Sequence, residues 1–277
     1  MAVHDLRVGP IPRFVDLQRL LGPALEDGWI IEDGDSGRVF ARGRLDSEKA
    51  ADLAARLRGL RLDERAVGCE VEPQLRRPLV RRARTEDARR RRETTLGFER
   101  RGARLDEEGR WSLTPERLAL RLGAAAGGRR VVDATCGAGG NAIGFAREGC
   151  AVTAIEVDAS RLALARHNSR LYGVEERIRF VQGDARELVP TFTDPEALLF
   201  VDPPWGRDWS QRGRCGLSDV PLLADLMVHG SCYWQMWAKL PPVFALDALP
   251  NAELEAVFGE APGDRRRIKF VLARVAG

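Results

Sequence analysis

From about residue 111 to the C-terminus, short apolar runs alternate with segments whose apolar residues recur at helical spacing. The apolar runs predict strands at residues 131–132, 152–155, 178–181, 198–201, 243–246 and 269–272. The helical spacing predicts helices near residues 114–122, 141–148, 161–172 and 221–236. Alternation of strands and helices is typical of βαβ units built around a parallel sheet. We therefore predict an α/β fold with a doubly wound sheet for this part of the chain.

The N-terminal part follows a different pattern. Apolar residues recur at helical spacing over residues 14–21, and two short apolar runs then flank the Gly-rich turn at 33–37, which predicts a helix followed by a β-hairpin. Asp46 or Ser47 is placed to cap a helix over about residues 48–60. We predict a small α+β domain over residues 1–75, a connecting segment over 76–104 and the α/β domain over 105–277.

The connecting segment is strongly basic. Residues 76–104 contain twelve arginines and four acidic residues, although the whole chain carries a net charge of only +3. Guanidinium groups bind phosphate oxygens through paired hydrogen bonds, so this clustering favours a surface that contacts a nucleic-acid backbone. The residues expected to make those contacts form the run Arg89, Arg90, Arg91 and Arg92. A solvated charged helix is the alternative.

Composition narrows the classes of protein to which this chain can belong. The chain has 277 residues and is 44% hydrophobic, which is enough for a substantial core. No apolar run reaches the length of about 18 residues that spans a membrane, and the residues MAVHDLRVGP do not resemble a signal peptide, so we expect a cytoplasmic protein without a membrane partner. The five cysteines form no CxxC pair and only three histidines are present, so we expect neither a disulfide framework nor a metal site.

The predicted strand at 131–132 leads into a glycine-rich turn and then a helix. Asp133 ends the strand, the turn contains Cys136, Gly137 and Gly139, and Asn141 begins the helix. Glycines allow a ligand to approach the backbone closely, and a helix N-terminus favours a polar group. The turn lacks the GK[ST] ending of a phosphate-binding loop and the G-x-G-x-x-G spacing of a dinucleotide site. An ordinary tight turn between strand and helix is the alternative.

Two further acids follow the next two predicted strands. Glu156 ends the second strand, about twenty residues after the glycine turn, where an α/β sheet usually binds a ribose diol. Asp184 follows the third strand at the same edge of the sheet, where its carboxylate can accept a hydrogen bond from an adenine amino group. Acids at three successive strand ends favour a nucleoside site over three unrelated surface residues.

The fourth predicted strand ends in Asp202, Pro203, Pro204 and Trp205. An exocyclic amine of a nucleobase is a poor nucleophile because its lone pair is delocalised into the ring. The Asp202 side chain and the Pro203 carbonyl offer two acceptors that can draw such an amine toward tetrahedral geometry, and Trp205 offers a surface for stacking. The motif therefore predicts methylation of an exocyclic amine, with a proline-rich structural turn as the alternative.

With these motifs in place, the chain resembles the class I S-adenosylmethionine-dependent methyltransferases that carry [DNS]-P-P-[YFW], and among them the trimethylguanosine synthase family of RNA cap guanine-N2 methyltransferases. The resemblance runs from about residue 105 to 275 and includes LDEEGRWSLTPE, VDATCGAGGN and ALARHN. It implies a Rossmann-like fold with S-adenosylmethionine as cofactor. By this resemblance, Thr114 and Pro115 flank the methionine end of the cofactor, and the residues that hold the rest are Asp133, Cys136, Gly137, Gly139, Asn141, Glu156 and Asp184.

The resemblance also assigns Trp205 to the acceptor guanine, but the sequence departs from the family pattern at three places. The chain has Asp202 where the family usually has Ser, Gly206 and Arg207 where it has two glycines, and Glu156 where it has Asp. Asp202 brings the acceptor chemistry closer to that of general N-methyltransferases. Arg207 is expected to alter the surface that meets the substrate.

The sequence therefore predicts an S-adenosylmethionine-dependent N-methyltransferase that acts on an exocyclic amine of a nucleobase, with guanine N2 in RNA as the favoured acceptor. A methyltransferase acting on adenine N6 or on a protein glutamine is an open alternative, because the same turn serves those acceptors. An RNA-binding protein with a degenerate methyltransferase fold is another. The oligomeric state is not predicted.

Overall fold

A computed structural model describes residues 2–22, 25, 28–206, 208–211 and 215–277. The N-terminal elements are β1 (Val3–Pro12), α1 (Leu17–Leu21), β2 (Ile30–Asp33), β3 (Arg38–Asp46), α2 (Ser47–Leu57), β4 (Arg61–Leu62), β5 (Arg65–Ala66), β6 (Gly68–Glu72) and α3 (Arg77–Arg90). Four of these strands form an antiparallel sheet in the order β2-β3-β1-β6.

The N-terminal predictions are partly confirmed. Strands β2 and β3 form the expected hairpin, and α2 begins after Asp46, whose carboxylate accepts from the backbone N–H groups of Glu48 and Lys49. Helix α1 is shorter than the predicted helix over 14–21. Strand β1 was not predicted, since its Gly9–Pro10 pair breaks the apolar pattern. The structure accommodates that pair at a shift in register between Val8 and Ile11.

The second half forms a larger sheet. Its elements are α4 (Gly109–Ser112), α5 (Glu116–Ala126), β7 (Arg130–Asp133), α6 (Gly140–Arg147), β8 (Ala151–Glu156), α7 (Ala159–Tyr172), β9 (Ile178–Gln182), α8 (Ala185–Leu188), β10 (Asp194–Val201), α9 (Pro221–Met227), β11 (Tyr233–Leu240), β12 (Glu253–Phe258) and β13 (Ile268–Ala276). The strand order is β12-β13-β11-β10-β7-β8-β9. Strands β7 to β11 are parallel to one another, and β13 is antiparallel to both of its neighbours.

Helices cover both faces of this sheet, which confirms the doubly wound α/β fold. Side chains from α5, α6 and α7 pack with Phe200 and Trp237 on one face. Side chains from α8 and α9 pack with Leu199 and Ala238 on the other. Successive residues of a strand point to opposite faces of the sheet. Residues at matching positions of neighbouring strands therefore point to the same face.

Two predicted elements near the fifth strand are wrong. The predicted helix over 221–236 ends at Met227 as α9, and the residues from Tyr233 onward form strand β11. The predicted strand over 243–246 is absent from the described residues there, where Phe244 makes only an isolated bridge to Cys215. The β11 sequence YWQMWAKL is almost continuously apolar, and such a run does not distinguish a buried strand from a helix. Strand β12 was not predicted either.

The two sheets share a core. Ala256 and Phe258 of β12 are buried in the same cluster as Leu6 and Val8 of β1. Phe258 is 1% exposed, so its ring is enclosed between the two sheets. Within the described part of the chain, none of the helices combines the length and the apolar character that a membrane crossing requires.

Candidate active site

A cleft of about 1120 Å³ lies at the carboxyl ends of the parallel strands. This edge is where open α/β sheets bind their ligands. The predicted site residues that line it are Thr114, Pro115, Cys136, Gly137, Asn141, Glu156, Asp184, Asp202, Pro203, Pro204 and Trp205. Asp133 and Gly139 do not line the cleft and lie behind its wall. The structure therefore gathers most of the predicted residues in one place.

The glycine turn between β7 and α6 forms one wall of the cleft. Gly137 has a φ of +52°, and a Cβ atom built there would meet nothing within 4 Å, so open space reaches the backbone at this point. Gly139 has a φ of +93°, and a Cβ there would lie 3.2 Å from the backbone of Ala165 in α7. Gly137 thus opens the wall toward a ligand, whereas Gly139 permits close packing behind it.

Glu156 braces this turn from the end of β8. Its Oε2 accepts from the Gly137 N–H at 2.9 Å, and its Oε1 accepts from the Asp158 N–H at 3.0 Å. The side chain is 8% exposed and faces the cleft. A carboxylate oxygen has two lone pairs, so each oxygen can accept a second hydrogen bond from a ligand hydroxyl. Glu156 therefore holds the loop and keeps acceptor capacity for a ligand.

Asp133 is fully buried at the end of β7. Its Oδ1 accepts from the Thr135 N–H at 3.2 Å, while no described residue donates to its Oδ2. Burial raises the pKa of its carboxyl to about 7, and the nearby carboxylates of Asp202 and Glu156 add to the rise. The carboxyl of Asp133, behind the wall of the cleft, therefore has a pKa near neutral pH.

Two more buried polar atoms face the cleft without a partner among the described residues. They are Thr114 Oγ1 and Asn141 Oδ1. Buried polar atoms are nearly always hydrogen-bonded, so such atoms mark places where a polar ligand completes the site. Together with the open backbone at Gly137, they leave polar positions in the cleft that fit a nucleoside cofactor.

Cys136 and Asp184 are the other predicted cofactor residues in the cleft. Cys136 is 4% exposed, and burial raises the pKa of its thiol, so it is a packing residue rather than a nucleophile. Asp184 caps α8 by accepting from the Arg186 N–H at 2.8 Å, and its side chain is 42% exposed. It remains accessible at the cleft edge.

The Asp202–Trp205 turn forms the part of the cleft wall next to the glycine turn. The Asp202 N–H donates to Thr135 Oγ1 at 3.0 Å, which ties this turn to the glycine turn. Asp202 Oδ2 accepts from Asn141 Nδ2 at 3.2 Å and from Lys239 Nζ at 2.7 Å. Burial raises the pKa of Asp202, and the Lys239 charge and the hydrogen bonds from Lys239 and Asn141 oppose that rise.

Trp205 is partly buried beside this carboxylate. Its Nε1 donates to the Lys239 carbonyl at 3.2 Å, and its ring meets Trp209 edge to face, with 5.4 Å between the centroids. Among the described residues, none donates to the Pro203 carbonyl, which leaves this oxygen available as an acceptor. The turn therefore presents an aromatic ring and free acceptor oxygens to the cleft.

Lys239 is a charged residue of the cleft that the sequence reasoning missed. It lies at the end of β11 and is only 4% exposed. The sequence does contain a signal for this residue. Lys239 is one of three lysines in the chain, and it interrupts an apolar run. A lysine is almost never fully buried without a charged partner.

The predicted phosphate-binding arginines lie away from the cleft. Arg89 and Arg90 end α3, with Arg91 and Arg92 directly after it, and none of the four lines the cleft. Arg89 pairs with Glu86 and Glu93. Arg90 pairs with Asp52 and Glu86, and Arg91 pairs with Asp87. Arg101 and Arg110 instead line the cleft and are exposed, and no described acid pairs with them. Arg207 lies outside the described residues.

Comparison with known proteins finds similarity over the part of the chain that contains the glycine turn and the Asp202–Trp205 turn. Residues 128–217 match the family model described as RNA cap guanine-N2 methyltransferase. Trimethylguanosine synthase of Schizosaccharomyces pombe is 35% identical over 113 residues, which cover 38% of this chain and 47% of that protein. Release factor glutamine methyltransferase of Chlorobaculum tepidum is 33% identical over 166 residues, or 54% of this chain and 56% of that protein. The matches thus span about half the length of each relative.

A solved structure supports the fold. The putative methyltransferase from Porphyromonas gingivalis W83 aligns with a TM-score of 0.50 at 21% sequence identity, over 82% of this chain and 57% of that one. The resemblance predicted from the sequence is therefore confirmed over the glycine-turn region, and the cofactor of this methyltransferase class is S-adenosylmethionine.

Proposed function

We propose that this chain, whose residues 128–217 match the RNA cap guanine-N2 methyltransferase family, transfers a methyl group from S-adenosylmethionine to the exocyclic amine of a guanine in RNA. The observation that carries the proposal is the geometry of the Asp202–Trp205 turn. It brings a carboxylate, a free carbonyl and an indole ring together in the cleft that also contains the residues proposed to bind the cofactor. The family match favours guanine N2 over other exocyclic amines.

The acceptor side of the proposed site suits a primary amine. Asp202 uses its Oδ2 for both Asn141 and Lys239, which leaves Oδ1 for a ligand, and the Pro203 carbonyl is a second free acceptor. A primary amine has two N–H groups, so these oxygens can bind both and direct the nitrogen lone pair toward the cofactor wall. When bound, S-adenosylmethionine supplies an electrophilic methyl group on a sulfonium. The proton becomes acidic once the nitrogen is methylated, so no strong general base is required.

The cofactor side is proposed to consist of the residues around the glycine turn. Glu156 binds the ribose hydroxyls, Asp184 the adenine amino group, and Thr114 and Pro115 the methionine end, with Gly137 allowing close approach. Asp133 and Gly139 support this wall from behind.

RNA contact is proposed at the mouth of the cleft. Arg101 and Arg110 are exposed there, and no described carboxylate neutralises them, so both guanidinium groups are available to phosphate oxygens. The run from Arg89 to Arg92 stays a weaker candidate, because acids already pair with three of its members. The role of Arg207 stays a prediction.

A glutamine side chain of a protein is the second candidate acceptor. The 33% identity to a release factor glutamine methyltransferase over 166 residues favours it, and a primary amide also has two N–H groups for the same acceptors. The two candidates differ in what must stack on Trp205. A guanine ring covers the indole, whereas an amide does not, so loss of the ring should matter more for RNA.

One experiment separates these acceptors. The purified full chain is incubated with S-adenosylmethionine carrying an isotope-labelled methyl group, together with total RNA or with total protein, and the products are digested and analysed by mass spectrometry. We expect label in N2-methylguanosine, and none when Asp202→Ala replaces the wild-type protein. Label in N6-methyladenosine or in methylglutamine would reject the guanine assignment. Absence of label from both RNA and protein would favour a non-catalytic RNA-binding role.

A further inference from the structure

Lys239 and Asp202 are brought together by the register of two parallel strands. Val201 of β10 pairs with Ala238 of β11, so the next residue of each strand, Asp202 and Lys239, emerges at the same edge of the sheet. Phe200 and Trp237 point into the same core, and side chains two residues further along point to the same side. The strand register thus brings the two residues close enough for their side chains to meet.

Lys239 contacts both parts of the proposed acceptor site. Its Nζ donates to Asp202 Oδ2 at 2.7 Å and to the Ser112 carbonyl at 3.3 Å. Its own carbonyl accepts from Trp205 Nε1 at 3.2 Å. The ammonium also lies 5.2 Å from the centroid of the Trp205 ring. One residue therefore fixes the carboxylate through its side chain and the indole through its backbone.

The ammonium also favours the ionised form of Asp202. Burial disfavours the ionised form of a carboxyl group, and a nearby cation restores it. A protonated Asp202 would have one oxygen converted to a donor, which cannot accept an N–H from the substrate. Among the described residues, Lys239 is the cation that pairs with Asp202, and Asn141 supplies the other hydrogen bond to the same oxygen. The buried carboxyl of Asp133 is an acid close enough to interact with Asp202.

We propose that Lys239 is the positioning residue of the acceptor site, which keeps Asp202 ionised, holds its Oδ2 and leaves Oδ1 directed at the substrate amine. This inference rests on the proposed function, because it assigns a role to Asp202 in binding that amine. Lys239 acts through Asp202 and Trp205. It neither attacks the methyl group nor removes a proton from the substrate.

The kinetic test uses Lys239→Met, which removes the ammonium and keeps the length of the side chain. We expect kcat to fall by about tenfold to a hundredfold at neutral pH, the range for a lost hydrogen bond to a charged group. The KM for cofactor should stay near that of the wild type. Activity should recover as the pH rises, because Asp202 then ionises without help. Lys239→Arg retains the charge, so its pH profile should follow the wild type.

Two further variants keep the test decisive. Asp202→Ser combined with Lys239→Met removes both charges, which is less destabilising than leaving one buried charge alone. This double variant should lose the pH dependence seen in Lys239→Met. Lys269→Met is the matched control, because Lys269 pairs with Asp264 at 3.1 Å and also lines the cleft but lies off the acceptor turn. Its pH profile should equal that of the wild type.

A second readout needs neither cofactor nor activity. Carboxyl-carbon NMR of the protein labelled at aspartate follows the titration of Asp202 in the wild type and in Lys239→Met. We expect its midpoint to move to higher pH in the variant. An unchanged midpoint together with an unchanged kcat profile would overturn the role of Lys239. If the midpoint shifts but the wild type methylates no RNA or protein substrate, the proposed function fails and the electrostatic role of Lys239 stands.

Discussion

The backbone N–H of Gly137 donates a 2.9 Å hydrogen bond to the Glu156 carboxylate, so the end of β8 holds the glycine turn that follows β7. Replacement of Glu156 by Gln keeps the shape of the side chain and removes its charge. We expect cofactor affinity to fall by about 1.5–3 kcal/mol, the usual range for hydrogen bonds to a charged group. Calorimetry measures this. Glu187→Gln, an exposed acid in α8, is the control, and equal affinity in both variants would exclude Glu156 as a cofactor ligand.

Asp133 should make stability depend on pH. Its folded-state pKa is raised to about 7 from an ordinary value of 3.8, so between these values the folded protein keeps a proton that the unfolded chain has lost. The wild type should therefore lose stability relative to Asp133→Asn as the pH rises from about 4 to about 7, with no further change above. Urea unfolding at several pH values tests this. A constant difference across the window would contradict it.

Trp205 should contribute more to catalysis than to folding. Stacking of a base on an aromatic side chain is worth about 1–3 kcal/mol, so Trp205→Ala should lower kcat/KM for an RNA substrate by about tenfold to a hundredfold. Trp205→Phe retains a ring and should be less affected. Steady-state kinetics provide the measurement, and Trp234→Ala, on a residue that does not line the cleft, is the control. Equal losses at both positions would mean that Trp205 has only a packing role.

RNA affinity should depend on the arginines at the cleft mouth. Neutralising one arginine that binds a phosphate of single-stranded RNA should reduce the slope of log affinity against log salt by about 0.7. Arg101→Ala with Arg110→Ala should therefore flatten the slope by about twice that amount. The fourfold Ala variant at residues 89–92 should change it less, because three of those arginines already have acidic partners. Filter binding at several salt concentrations measures the slope for both variants. A larger change in the variant at residues 89–92 would assign the phosphate contacts to that run instead.

Phe258 should support both sheets. It is 1% exposed in the core that β12 shares with the N-terminal sheet, and truncation of a buried Phe costs about 3–5 kcal/mol. Phe258→Ala should lower the free energy of unfolding by this amount, measured in urea. Val228 is 73% exposed, so Val228→Ala should change stability by less than about 0.5 kcal/mol. Similar values for the two variants would argue against the shared core.

The sequence predicted the site residues that belong to contiguous motifs. It missed Lys239, whose contact with the site depends on strand register. The glycine turn, Glu156 and the Asp202–Trp205 turn are contiguous motifs at strand ends, and the structure places them around one cleft. Lys239 lies 37 residues after Asp202 and meets it only because β10 and β11 are adjacent. The sequence pattern placed the first half of β11 inside a helix, and that error hid the contact. The domain boundaries near residues 75 and 104 stay predictions.

The shared core also has a consequence for the order of folding during synthesis. Residues 3–72, which form the first sheet, are synthesised well before Ala256 and Phe258, which complete the cluster that buries Leu6 and Val8. The first sheet therefore cannot complete this core until β12 has been translated. A nascent chain that stops before β12 should retain an exposed apolar face, which chaperones and proteases recognise.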